Sequence, residues 1–380
     1  MRRAFQSAST NSMAIDRRTI LLGSLSAISL VRFSGGTALG GENTEAAFVS
    51  AARMPDQSYA IVLLAADGSV LRQVPLSGRG HDIAHHHESG RAVAFARRPG
   101  TFAVAFDVAG THEPVVFNAI EGRHFYGHGA FSANGKLLYT SENDIAAGRG
   151  VVGIYDVEAG YKRIGEHQSH GVGPHEIILL ADGRTLVIAN GGIDTVPEAG
   201  RAMLNVDEMR PSLAFADSES GALLARHELS VDLNRLSIRH IAADGRGAVW
   251  FGGQWEGDVE ETPELVGRAT PDSAIRMIKP PSSLGVELKG YIGSVSATVD
   301  GSVIAASAPK AGRILYVNTA DGSIAGNSEL PDGCGVAGEE HARFCVTSGL
   351  GKFRHETPGA RVLSERVLDG IAFDNHLRRL

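Results

Sequence analysis

Beyond residue 44 the chain alternates short apolar runs with polar, glycine-bearing turns. RAVAFA, KLLYTSE, RTLVIAN, RGAVWFGG and SVIAASA follow the turns Glu88-Ser89-Gly90, Asn134-Gly135, Asp182-Gly183, Asp244-Gly245 and Asp300-Gly301. A weaker copy is Glu340-His341-Ala342 before RFCVTSG. A second kind of turn recurs between them, at Asp67-Gly68, 107–110, 156–160, 217–221 and Asp321-Gly322. Runs of this length, bounded by Asp/Asn/Gly turns, predict strands joined as hairpins. The first kind of turn recurs every 40–60 residues, and each unit holds three to four strands. With the N-terminal unit (AAFVSAA and YAIVLLAADGSVLRQVPL), seven repeats fill the span 44–380, near 48 residues apiece. That period with four strands per unit is the signature of propeller blades. The expected fold is therefore all-β: a single β-propeller of seven blades, each of four antiparallel strands. No linker composition supports the alternative of two sandwiches end to end. The last run, GIAFDNHL, is expected to complete the N-terminal blade and close the ring, which leaves no edge strand open. Two long stretches interrupt the repeat, 191–212 and 252–265, and both are expected on one face of the ring.

Composition agrees with the turns. Glycine makes up 47 of 380 residues, well above the average of about 7%. The N-terminus has a different character. Basic residues through Arg17-Arg18 precede an apolar run of twelve, Ile20 to Val31, and then small residues. This predicts a twin-arginine-type secretory signal over 1–40, and hence a periplasmic protein. The apolar run is too short to span a membrane, and no later segment is long enough, so no membrane insertion is expected after the signal is removed. Without residues 1–38 the chain carries 31 basic and 42 acidic residues, net −11, which argues against nucleic acid as a partner. A closed ring needs no second copy to protect its edges, so a monomer is expected. The two cysteines, Cys334 and Cys345, either bridge in an oxidising compartment or stay as buried thiols.

Histidine changes the functional picture. Ten of the 15 lie between residues 81 and 175, a quarter of the chain. His81, His128 and His175 precede first-kind turns at similar distances, and His240 lies near the equivalent place. In a propeller that segment is the innermost strand of the blade, so these four are expected to face one another around the axis. Such a ring suits a transition metal ion such as Fe, Cu or Zn, with Glu142 or Glu176 completing a mixed shell. The competing reading has the histidines brace loops through backbone hydrogen bonds. In His85-His86-His87, strand alternation lets at most two share a ligand.

Arg123, Arg149, Arg201 and Arg239 lie in nearby loops, and the first three are candidates for a substrate or other anion. Ordinary ion pairing is the alternative. No nucleophile elbow, phosphate loop or H-E-x-x-H is present, so the enzyme signal is weak.

RHFYGHGAFSANGKLLYTSEND (123–144), GRGVVGIYD, SHGVGPHEIILLADGRTLVIANGGI, GRAMLNVDEMRPSL and LSIRH resemble the DUF1513 family. The resemblance implies an exported β-propeller and a setting beside periplasmic iron-acquisition proteins, hence a metal-handling accessory role with those proteins as partners. It supplies no catalytic residues. GPHEIILLADGRTLVIAN is more distantly similar to seven-bladed lactonases of the 6-phosphogluconolactonase and carboxymuconate-cycloisomerase type. That likeness implies Glu142, His175 and Arg239 as the catalytic set of a lactone hydrolase. A protein-interaction scaffold using the two long loops is the third possibility.

Overall fold

The computed structural model describes residues 45–98, 100–195 and 205–380. The expected signal at 1–40 and Arg201 lie outside the described residues. Over the described span, seven four-stranded antiparallel sheets form a ring, the expected architecture and blade number. Blades 1 to 6 cover residues 80–118, 123–168, 174–228, 236–278, 294–329 and 333–367. Blade 7 joins the two ends of the domain. Its innermost strand, Ala372–Arg379, pairs with Phe48–Arg53, which continues into Tyr59–Leu64 and Val70–Leu76.

The apolar runs that dominate the sequence are the second strands. Each is sandwiched between neighbouring blades, so Thr185–Asn190 and Val303–Ala308 are buried at every position. The outermost strands face water, and Arg361–Val367 is exposed throughout. The core therefore lies between blades. Phe95 and Phe117 of blade 1 pack on Phe125, Tyr155 and Tyr161 of blade 2, with Phe117 stacked on Tyr161 at 5.1 Å. Burying such a ring is worth roughly 1.5–3 kcal/mol. The turns obey the expected chemistry. Gly183 sits at φ +69°, and the Asp182 carboxylate accepts from the Arg184 and Thr185 amides.

The innermost strands are less regular. Their pairing to the second strand slips between Gly80 and Ile83, Phe125 and Gly129, Pro174 and Ile177, Ile238 and His240, and Gly333 and Val336. In blade 7 it slips between Phe373 and Leu377. A bulge bends its strand and turns a side chain out of the alternating pattern. Only blade 5 among the described innermost strands pairs without a slip.

Both long loops join a second strand to a third, in blades 3 and 4, and so leave the ring at the same end, as expected. The described part of the first is tied to blade 2, where Asn143 Nδ2 donates to the Thr195 carbonyl at 2.7 Å. Cys334 and Cys345 are free, buried thiols, and burial raises both well above the usual thiol range. No described helix is long and apolar enough to cross a membrane.

Candidate functional site

The slips in the innermost strands carry five histidines to the axis: His81, His128, His175, His240 and His376. Neighbouring ring centroids lie 4.7–5.0 Å apart, and His81 and His240 are 6.4 Å apart. None is more than 8% exposed. Gly127 makes room for this packing. It sits at φ +101° inside the blade 2 bulge, and a Cβ there would approach the His81 ring to 2.7 Å.

Buried carboxylates stand behind the rings. His128 Nδ1 donates to Asp82 at 2.8 Å, and His240 Nδ1 donates to Glu176 at 3.2 Å. His376 Nδ1 lies 3.4 Å from Ser294 Oγ. In all three rings the other nitrogen, Nε2, is buried without a hydrogen-bond partner, as is Nδ1 of His175. An unpaired buried polar atom costs about 1–3 kcal/mol, so four in one cluster is a large concentration of unmet polar capacity. Nδ1 held by a carboxylate with Nε2 bare is also the arrangement of metal-ligating imidazoles.

Ligand nitrogens of His128, His240 and His376 lie within 4.8 Å of one another, and so do those of His81, His128 and His175. The centre of an equilateral triangle of that side is about 2.8 Å from each corner. Shifts of roughly 0.7 Å would give the 2.0–2.1 Å of a metal–imidazole bond.

The charges fit a cation. Burial lowers His81 to about 3, partly opposed by Asp374, and His240 to about 4, partly opposed by Glu176. His175 and His376 also lie well below the usual imidazole range, first through burial. These four rings are therefore neutral at pH 7, the form that binds metal. Burial pushes Asp82 and Glu176 the other way, but Arg378 and the neighbouring histidines together outweigh it. Asp82 is held well below the carboxylate range and Glu176 at about 2. Arg378 bonds Asp82 at 2.6 and 2.8 Å and Glu176 at 2.7 Å. Two ionised carboxylates thus share one guanidinium behind the rings.

On the other side the axis opens into a recess of about 370 Å³, counting the space open to solvent. His81, His175 and His240 reach its floor, and Arg97, Arg98, Arg239, Tyr126 and Tyr291 are among its walls.

Of the residues expected at the site, His81, His128, His175 and His240 come together, and Arg239 joins them at the recess. Glu176 is also present, tied to His240 and Arg378. Glu142 is not. Its carboxylate lies inside blade 2, accepting from Thr140 and Tyr155 at 2.8 Å and from Arg163 at 3.0 Å. The reason is strand alternation: Glu142 is on a second strand, and its side chain turns outward toward the third and fourth. Arg123 and Arg149 do not face the axis as an anion pair either, because both are bound by Asp144 and Glu166. In the histidine triplet, His86 is held by Ser89 and the Ala133 carbonyl, and His87 begins a short 3-10 turn. His376, and the Asp82, Asp374 and Arg378 that stand behind the cluster, escaped the sequence reading. The signal for His376 was available, since GIAFDNHL was placed as the closing strand, the same position in its blade as the other histidines occupy.

Fold and axis together define a closed seven-bladed propeller with an imidazole cluster at its centre. Within that class, the chain belongs to the DUF1513 family, described as proteins of unknown function, whose profile matches residues 74–380. No curated protein matches the chain in sequence. Among solved structures it is similar to hydrazine synthase from Kuenenia stuttgartiensis, with TM-score 0.55, 11% identity, and coverage of 82% of this chain and 95% of that one. It is also similar to BamB from Moraxella catarrhalis, with TM-score 0.51, 11% identity, and coverage of 86% and 84% respectively. At that identity the likeness shows the propeller fold alone.

Proposed function

We propose that this protein binds one first-row transition metal ion at the propeller axis, through His128, His240 and His376, with His81 and His175 on the side of the mouth. The observation that supports the reading best is the pattern of used and unused nitrogens: Nδ1 is engaged, to a carboxylate in two of the three rings, while Nε2 is buried and bare. Imidazole donors favour Zn, Cu or Fe over Ca or Mg. The ionised Asp82 and Glu176 behind the rings favour the bound cation further. With the signal expected at 1–40, the reading is of a periplasmic metal-handling protein. The lactone-hydrolase reading lacks its carboxylate at the recess, since Glu142 is committed inside blade 2.

Elemental analysis of untagged protein tests this. One metal ion per chain is expected in the wild type, falling below a tenth of that in His128→Ala and in His376→Gln, with both variants keeping the wild-type circular dichroism. Metal-free wild type that takes up none of Zn(II), Cu(II) or Fe(II) at micromolar concentration would overturn it.

A further inference from the structure

We infer that the open side of this metal site faces the arginine-lined mouth and takes a small carboxylate or oxyanion, held by the metal ion and Arg239 together. The inference rests on the metal assignment and adds the chemistry of the second ligand. Three observations carry it. First, the recess is lined by three arginines, Arg97, Arg98 and Arg239, and by no carboxylate. Arg97 is already paired with Asp374 at 2.7 Å, and Arg239 more loosely with Glu256 at 3.4 Å, so Arg239 has donor capacity to spare. Second, two groups in it are built in and keep a bare nitrogen. Arg239 is 6% exposed and its Nε has no hydrogen-bond partner, while its one carboxylate neighbour, Glu256, is a long 3.4 Å away. His175 is 8% exposed, reaches the same recess, and leaves Nδ1 bare. A buried guanidinium with an unused donor is a site for a planar oxyanion, which it can grip with two parallel N–H bonds. Third, the recess is small. Most of its space is open solvent and the enclosed part is about 30 Å³, far below the range of about 300–1,000 Å³ for ordinary ligand pockets. It suits a ligand of a few heavy atoms better than a sugar or a peptide.

The geometry also sets the order of assembly. His128 and His376 are 0% and 1% exposed and lie below the recess, so the metal has imidazole beneath it and the mouth above. A metal held by three protein ligands keeps a position for an outside one, and here the recess reached by His81, His175 and His240 is walled by guanidinium groups. Chelation by an anion on that side would neutralise the ion's remaining charge and complete its shell without any protein movement.

The test uses the chain from residue 44 loaded with Co(II), whose visible spectrum reports coordination, titrated in parallel with oxalate and with phosphate. Wild type is expected to bind at least one of them with a change in the cobalt spectrum, and at least tenfold more tightly than the metal-free protein does. Arg239→Gln is expected to weaken that binding at least tenfold while still holding one Co(II) per chain. Arg239→Lys, which keeps the charge but loses the fork, should fall between. Absence of a spectral change with either anion, or equal affinity in Arg239→Gln, overturns the inference while leaving the metal site standing. If Co(II) itself does not bind, the metal reading fails separately. Anion binding by the metal-free wild type that Arg239→Gln abolishes then keeps the arginine site, and its absence removes that too.

Discussion

Two buried polar regions of this molecule look alike in composition and differ in how completely they are satisfied. Glu142 in blade 2 and Glu356 in blade 6 are both 0% exposed. Glu142 takes hydrogen bonds from Thr140, Tyr155 and Arg163, and Glu356 from Tyr316, Ser328 at 2.6 Å and Arg354. Neither carboxylate has an atom left over. The axial cluster is as deeply buried, yet four of its ring nitrogens face nothing. The first two networks brace a blade; under the proposed function, the bare nitrogens at the axis are where the ion binds. Burial and residue type therefore do not separate structural from functional polar groups. Single unused atoms also occur elsewhere, as at Arg163 Nε and Asn190 Oδ1, so it is the concentration of four bare ring nitrogens in one cluster that sets the axis apart.

The contrast is sharpest under substitution. Glu142→Ala strands Arg163 and Tyr155 and is expected to lower unfolding stability by about 3–5 kcal/mol in urea, with bound metal unchanged. His376→Gln removes a ring whose Nε2 was unpaired while filling most of its space, so the metal-free protein should change by about 1–2 kcal/mol while metal binding is lost. If the effects on metal content run the other way, the division between brace and site is wrong.

Acid should act on the axis before it reaches the braces. His81 and His240 titrate near 3 and 4 in the folded chain, against 6.5 for a free imidazole. Between those values the unfolded chain binds more protons than the folded one. The metal-free protein therefore loses stability as the pH falls from 6.5 toward 4, by up to about 1.4 kcal/mol per pH unit for each histidine. Melting temperatures at pH 7, 5.5 and 4, with and without chelator, would show this as a steep fall that bound metal delays. A flat profile would mean that the rings are not buried and neutral.

Backbone geometry at the axis offers a milder lever. Gly127→Ala places a methyl group 2.7 Å from His81 at φ +101°, a strain of about 1–3 kcal/mol. It should lower the melting temperature and weaken metal binding about tenfold by calorimetry, because the bulge that aims His128 moves with it. The smallest effect is expected at the rim. Arg149 has a side chain 46% exposed and shares Asp144 and Glu166 with Arg123, so Arg149→Ala should change stability by less than about 1 kcal/mol and metal content not at all.

A site with a solvent-facing mouth and a deep, charged floor is suited to exchange through the mouth. Loading by free metal and by an oxalate complex can be compared directly in the Arg239 variants.

The sequence alone determined the ring. Seven repeats of apolar runs and glycine turns specify seven blades, because a second strand buried on both faces must be apolar along its whole length, and that pattern survives in one dimension. The closing role of GIAFDNHL and the axial meeting of four histidines were legible for the same reason, since a position repeated in each blade becomes a circle in space. Tertiary structure alone decided the rest. Glu142 and Glu176 look equivalent along the chain. One lies on a second strand facing outward, while the other lies in a bulge of an innermost strand, and pairing slips are invisible in a hydropathy pattern. The partnership of Asp82, Glu176 and Arg378 spans up to 296 residues of sequence, so no local motif encodes it. Only the closed ring brings those charges under the imidazoles, and only there does an unused nitrogen distinguish a ligand from a brace.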